Sequence, residues 1–300
     1  MSDATERLNA VRLVLVVASV LFLSLGCGIL GPGNRLEPSE LCSDHGNSDI
    51  ATFEDPNMER AVRDWSGVDA RNDLTCGLVS GIDGIPMHDY GITSLVGIQN
   101  LTSLTALELG NNLITDISPL SGLTRLTSLH LYNNSITDIS ALRGLTRLRV
   151  LTLRNNSITD ISALSGLTRL RELYLRFNNS ISDISALRGL TSLTSLELDN
   201  NLITDINPLS GLTGLVDLRL PSNPITDISA LRGLTSLTSL DLSKNLDLSN
   251  IQPLLDNTGL GKPVPMTFFS RHVNLSHTNV SCTDVAALKR KGVTVAHSCS

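Results

Sequence analysis

Apolar and polar positions along most of this chain follow one register, Leu-x-x-Leu-x-Leu-x-x-Asn-x-Ile-x-Asp-Ile, which returns every 22 residues. The first regular copy is Leu104, Leu107, Leu109, Asn112, Ile114, Asp116 and Ile117, and the register recurs from Leu126, Leu148, Leu170, Leu193, Leu215 and Leu237. A fixed period of this length predicts a solenoid, because one such unit cannot bury its apolar face alone and must stack on its neighbours. Within each unit, Leu107-Glu108-Leu109 alternates with the period of a strand, leucines inward. From Ile114 to Leu123 the apolar residues fall near every third position, which suits a tight helical turn leading back to the next strand. The expected fold is α/β, with a curved parallel sheet on a concave face, short 3-10 or helical turns on the convex face and small helical caps at both ends.

The asparagines Asn112, Asn134, Asn156, Asn178, Asn201, Asn223 and Asn245 form a ladder through the copies. A buried turn leaves backbone groups unpaired, and a side-chain amide carries both donors and an acceptor to satisfy them in adjacent coils. Two copies carry one extra residue, at Asn178-Asn179-Ser180-Ile181 and at Asn245-Leu246-Asp247-Leu248, and each is expected to bulge without breaking the stack. Worn copies flank the regular ones, at Ile85-Pro86-Met87 and at Val273-Asn274-Leu275, which predicts nine stacked strands. Residues 255–272 are an insertion, with Pro263 and Pro265 opposing a helix at its centre. Ahead of the array, Asp55-Pro56 is a helix start, and Met58, Ala61, Val62 and Trp65 fall on one helical face as cap core. Behind it, Thr283 to Lys291 reads as a short helix ended by Gly292.

The pattern Leu-Thr-x-Leu-x-x-Leu-x-Leu-x-x-Asn-x-Ile-Thr-Asp-Ile-Ser-x-Leu-x-Gly-Leu, covering about residues 82–260, resembles the 22-residue leucine-rich repeats of the internalin type from bacterial surface proteins. Phe53 to Arg63 looks like the helical cap preceding many such arrays. The resemblance implies a leucine-rich repeat solenoid used for adhesion or for recognition of another protein. The organisation expected is a signal peptide at 1–26, a lipidated cysteine and flexible tether at 27–50, a helical cap at 51–81, the repeat array at 82–260 and a C-terminal cap at 261–300.

Several features bear on address and partners. Arg7 and Arg12 precede an apolar run from Leu13 to Leu25, followed by Gly26-Cys27, as in a signal peptide. The ending resembles a bacterial lipobox, so Cys27 is the expected lipidation site and the membrane a partner through that lipid; an uncleaved anchor or plain secretion are the alternatives. The composition of residues 28–50, rich in Gly, Pro, Ser and Asn, is that of a tether. Cys42, Cys76, Cys282 and Cys299 remain, an even number that implies disulfides in an exported chain. Nine strands at roughly 4.8 Å hold the caps on the order of 40 Å apart, whereas a disulfide needs Cα atoms within about 7 Å. Only Cys42–Cys76 and Cys282–Cys299 satisfy both. The net charge of −6 comes without a basic stripe, so no nucleic-acid partner is expected.

No catalytic constellation is present: the histidines at 45, 88, 130, 272, 277 and 297 are scattered, and the usual metal, phosphate and nucleophile motifs are missing. The expectation is a non-enzymatic monomer with no metal and no cofactor. Variation between copies instead collects on outward strand positions, where His130, Tyr132, Thr152, Arg154, Glu172, Tyr174, Arg176, Phe177, Glu197 and Asp199 make the candidate ligand face. Tyrosine and arginine dominate binding hot spots, and they converge on the second to fourth regular copies. A protein ligand is the leading reading; glycan or cell-wall binding and a purely structural envelope role are the other classes. If Cys27 is the anchor, the mature chain begins there and partitions with membranes, and Cys27→Ala blocks maturation; an intact Met1 on membrane-extracted protein, read by mass spectrometry, would reject this.

Overall fold

Short parallel strands form wherever the paired leucines fall. A computed structural model describes residues 33–260 and 271–299. Among these described residues ten three-residue strands stack in strict chain order: β1 Gly84–Pro86, β2 Ala106–Glu108, β3 Ser128–His130, β4 Val150–Thr152, β5 Glu172–Tyr174, β6 Ser195–Glu197, β7 Asp217–Arg219, β8 Ser239–Asp241, β9 His272–Asn274 and β10 Thr294–Ala296. Central residues Leu107, Leu129, Leu151, Leu173, Leu196, Leu218 and Leu240 pair in register from coil to coil and are buried. The solenoid fold is as expected, but the strand count is not. Behind the last worn copy, Thr294–Ala296 pairs with β9 and adds a tenth strand. The C-terminal helix occupies the place of a convex turn, so the chain completes one more truncated coil after it. The segment expected to be a signal peptide, Cys27 and the centre of the 255–272 insertion lie outside the described residues.

On the convex side each return from β1 to β8 is a 3-10 turn, such as Ser140–Gly144 and Ser162–Gly166, and the last two returns are short α-helices. The repeated aspartate opens it: Asp138 Oδ1 accepts the Ser140 N–H at 2.7 Å and Oδ2 the hydroxyl at 3.1 Å. Asp116, Asp160, Asp183, Asp205 and Asp227 likewise accept the N–H two residues on and cap their own turns.

The buried asparagines join the coils. Asn156 Oδ1 accepts from Ile136 N–H of the preceding coil at 3.0 Å, while Nδ2 donates to Leu131 and Leu153 carbonyls at 3.0 and 3.1 Å. The ladder survives both extra residues, with Ile181 N–H reaching Asn201 Oδ1 at 3.4 Å and Ile225 N–H reaching Asn245 Oδ1 at 3.2 Å. The first insertion is absorbed by Asn179 in the left-handed region, φ 61°.

At the N-terminal end, helix α1, Pro56–Ser66, starts at Asp55, whose Oδ1 accepts from Asn57 N–H at 2.8 Å. Its Oδ2 takes Thr93 N–H, Thr93 hydroxyl and Ser94 N–H at 2.6, 2.9 and 3.1 Å, fastening the cap to the array. Burial pushes this carboxyl up, but the four hydrogen bonds outweigh it and hold it below the ordinary range. Its contribution is therefore present above the unfolded carboxylate pKa and is lost as pH falls through the lowered folded value. Residues 34–50, a tether by composition, instead pack into this cap. Leu36 is buried and pairs with Ile50, and Cys42 N–H donates to the buried Asn100 side chain at 2.7 Å. Polar composition was misleading because Gln99 and Asn100 of the first coil supply the partners. Trp65 also departs from expectation, 54% exposed while Met58, Ala61 and Val62 are buried. It shares their helical face but sits about 10 Å along the axis from Met58, beyond the part that the first coil covers.

At the other end, helix α4, Cys282–Arg290 (α2 and α3 being Cys76–Val79 and Gln252–Asp256), is capped by Ser281 and followed by Gly292 at φ 84°. Lys291 Nζ donates to the carbonyls of Leu255 and Asn257 at 2.6 and 2.9 Å. One disulfide staples each cap, Cys42–Cys76 with Cα atoms 5.3 Å apart and Cys282–Cys299 at 5.5 Å. Their loop lengths place each contribution at about 3–4 kcal/mol. No helix among the described residues is long and apolar enough to cross a membrane.

The ladder predicts a contrast between adjacent asparagines. Asn156→Ala leaves Ile136 N–H buried without an acceptor and is expected to cost about 3 kcal/mol. Asn155→Gly, at an exposed left-handed position, is expected to cost less than about 1 kcal/mol. Urea unfolding of the two variants checks this, and equal losses would show that the buried amides do not join the coils.

Candidate functional site

Strand alternation places the residues on either side of each buried leucine on the concave face. Register pairing then lines them up across coils. One row runs Glu108, His130, Thr152, Tyr174, Glu197, Arg219 and Asp241. Two residues further on, a second row runs Gly110, Tyr132, Arg154, Arg176 and Asp199. Next to it lie Asn111, Asn133, Asn155, Phe177, Asn200, Ser222 and Lys244, all at positive φ between 53° and 58°. All ten candidate residues thus come to one face.

Their side chains make contacts that a list of positions does not reveal. The Arg154 guanidinium lies between two tyrosines, 5.8 Å from the Tyr132 ring centre and 5.7 Å from that of Tyr174. Arg176 lies 5.2 Å from the ring centre of Phe177. These are cation–π distances. Tyr132 can lie across the preceding coil only because Gly110 has no side chain: a Cβ there would overlap the ring. Tyr174 donates its hydroxyl to Glu172 Oε2 at 2.9 Å, and burial, followed by the Glu172 carboxylate, holds its phenol proton on more tightly than usual. Tyr132, Arg154, Arg176, Phe177, Asn133 and Asn155 enclose a shallow depression of about 230 Å³.

His130 sits between two hydroxyls, Ser128 Oγ 2.9 Å from Nε2 and Thr152 Oγ1 3.3 Å from Nδ1. Burial lowers its pKa below the ordinary value, which keeps the ring neutral at pH 7. Beyond Tyr174 the face becomes acidic. Asp199 is only 5% exposed, its Oδ2 lies 3.7 Å from Arg219 Nε, and burial raises its carboxyl against the pull of that arginine.

One feature escaped the sequence reading. An exposed second ladder, Asn133 Nδ2 to Asn111 Oδ1 and Asn155 Nδ2 to Asn133 Oδ1, borders the aromatic patch. It is visible in the doubled Asn-Asn pairs of three successive copies. Asp217 and Arg219, outward positions by the same alternation but not among the ten candidates, join the face beside Glu197 and Asp199. Phe177 takes the ladder position at φ 57°, a conformation that disfavours a bulky aromatic side chain.

Comparisons with known proteins agree with the repeat fold. The family described as "Leucine Rich repeats (2 copies)" matches residues 124–166 and 168–211, and "Leucine rich repeat" matches 193–246. A comparison with curated proteins finds no match. Among solved structures, an internalin from Listeria monocytogenes is similar at 32% identity and a TM-score of 0.73, over 81% of this chain and 68% of its own. Internalin C2 from the same organism is 38% identical with a TM-score of 0.66, over 69% of this chain and 91% of its own. A functional domain of a further Listeria monocytogenes protein, InlJ, which includes a cysteine ladder, is 27% identical with a TM-score of 0.60, over 81% of this chain and 54% of its own.

The strained aromatic gives a stability prediction. Phe177→Asn restores the residue type found at this place in the three preceding coils and is expected to stabilise the fold by about 1 kcal/mol in urea unfolding. A loss of stability would show that the contact with Arg176 outweighs the backbone strain.

Proposed function

The chain belongs to the internalin family of bacterial leucine-rich repeat proteins, and from that premise we propose that it is a non-enzymatic binding module holding a protein ligand on its concave face. The observation that carries this reading is the Tyr132–Arg154–Tyr174 stack with Arg176 and Phe177 beside it. Large, pre-ordered aromatic and guanidinium surfaces lose little conformational freedom on binding and are the residue types that dominate hot spots. The scaffold under them is fixed by the leucine core, so the patch is preformed. His130, Thr152, Glu172, Glu197 and Asp199 border it and supply polar specificity. The two disulfides suit an oxidising compartment, in keeping with an exported chain held at the cell surface or envelope through lipid on Cys27.

Panning the full chain against a peptide phage library and a glycan array separates a protein ligand from a carbohydrate one. For peptides so selected, Tyr174→Ala and Arg176→Ala are each expected to weaken binding by about 2 kcal/mol, measured by calorimetry. Arg125→Ala, exposed ahead of β3 and off this face, is expected to leave it unchanged. Equal affinity for wild type and a Tyr132→Ala, Tyr174→Ala, Arg176→Ala triple variant would show that the patch is not the site.

A further inference from the structure

Buried polar atoms normally have hydrogen-bond partners. Among the described residues six side-chain atoms are buried without one, and five of them stand together on the concave face: Arg176 Nε, Glu197 Oε2, Asp199 Oδ1, Asp217 Oδ1 and Arg219 Nε. They lie on, or two residues past, three consecutive strands, β5 to β7, directly after the tyrosine stack. Their charges do not balance. Arg219 has Glu197 and Asp241 on either side of it in the strand register, Asp217 two residues before it on its own strand, and Asp199 at 3.7 Å. Four carboxylates therefore face two guanidiniums, Arg219 and Arg176, and Asp199, the most buried of them, leaves one oxygen unused.

The geometry points to a subsite on β5–β7 that receives a basic side chain, Lys or Arg, of the bound protein segment. An ammonium or guanidinium donates to several acceptors at once, which matches the three free carboxylate oxygens, and it supplies the missing positive charge. The same segment's backbone carbonyls are acceptors for the Nε–H groups of Arg176 and Arg219, neither of which has a hydrogen-bond acceptor. A bare metal ion satisfies the oxygens and leaves those donors unmet. A neutral glycan satisfies donors and acceptors and leaves the charge unmatched. Only a basic peptide answers both. Burial raises the Asp199 carboxyl, as expected for a group desolvated ahead of its partner.

This inference rests on the concave face being the protein-binding face, and the experiment separates the two. Peptides are selected by phage panning on the full chain and synthesised with each Lys or Arg in turn replaced by Gln. At one position the replacement is expected to weaken binding to wild type tenfold or more. Against Asp199→Asn the parent and replaced peptides are expected to bind within twofold of each other. Asp199→Asn is also expected to melt no lower than wild type, since it removes an unmatched buried carboxylate; a lower melting temperature would make Asp199 a structural partner of Arg219 and overturn the subsite. Peptides that weaken on Tyr174→Ala but show no coupling to Asp199 sustain the binding face and overturn the basic subsite. Peptides indifferent to both substitutions overturn both readings. Selected sequences without a basic residue, no enrichment at all, or millimolar calcium chloride raising the melting temperature of wild type but not of Asp199→Asn, each overturns the subsite.

Discussion

The buried asparagine amide is the interaction on which the rest of this molecule depends. Strands of three residues make few ladder bonds, and the backbone leaving each strand turns inward where water cannot reach it. One side chain per coil satisfies that turn and reaches the coil before it, as Asn156 does with Ile136 N–H, Leu131 and Leu153. Unpaired, such groups would each cost on the order of 1–3 kcal/mol. The period follows from this constraint, since an asparagine out of phase would miss both coils. Both extra residues therefore fall after an asparagine and before the next buried apolar position, Ile181 or Leu248. There the chain is already leaving for the convex side and can loop out without disturbing register.

Because the ladder and the leucines repeat so strictly, the array was legible in the sequence almost residue by residue. The parts that escaped are those where long-range contacts override local pattern. Residues 34–50 carry a tether's composition, yet Asn100, some sixty residues away in sequence, binds both Cys42 N–H and the Glu40 carbonyl. Thr294–Ala296, within the expected C-terminal cap, carries no repeat register, and it becomes a strand only because β9 offers an open edge. Trp65 satisfied the helical period but not the length of the surface beneath it. In each case the sequence carried the local preference, and a neighbour distant along the chain decided the outcome.

The concave face shows the same division. Which residues point outward follows from alternation alone, so the ten candidates share one surface. Which of them touch does not follow. The arginine held between two tyrosines needs Gly110 to be bare in the coil before, a requirement that becomes visible only once coils are stacked. The charge imbalance around Arg219 depends likewise on register across four strands, not on any motif within one.

The structural positions of the repeat and its candidate binding positions are thus separated by physics rather than by sequence distance. Asn178 is buried and tied to two carbonyls, while its neighbour Phe177, one residue earlier, is exposed and held at a φ that disfavours it. A single peptide link joins a residue whose loss would unfold the turn to one that weakens it. Such strain persists only where surrounding structure over-determines the backbone, and the bonds of Asn178 and the pairing of Phe177 N–H with the Asp199 carbonyl at 3.0 Å do so here. A stack of identical coils can therefore carry an unfavourable residue or an unmatched carboxylate in one place, because every neighbouring coil holds that place in register.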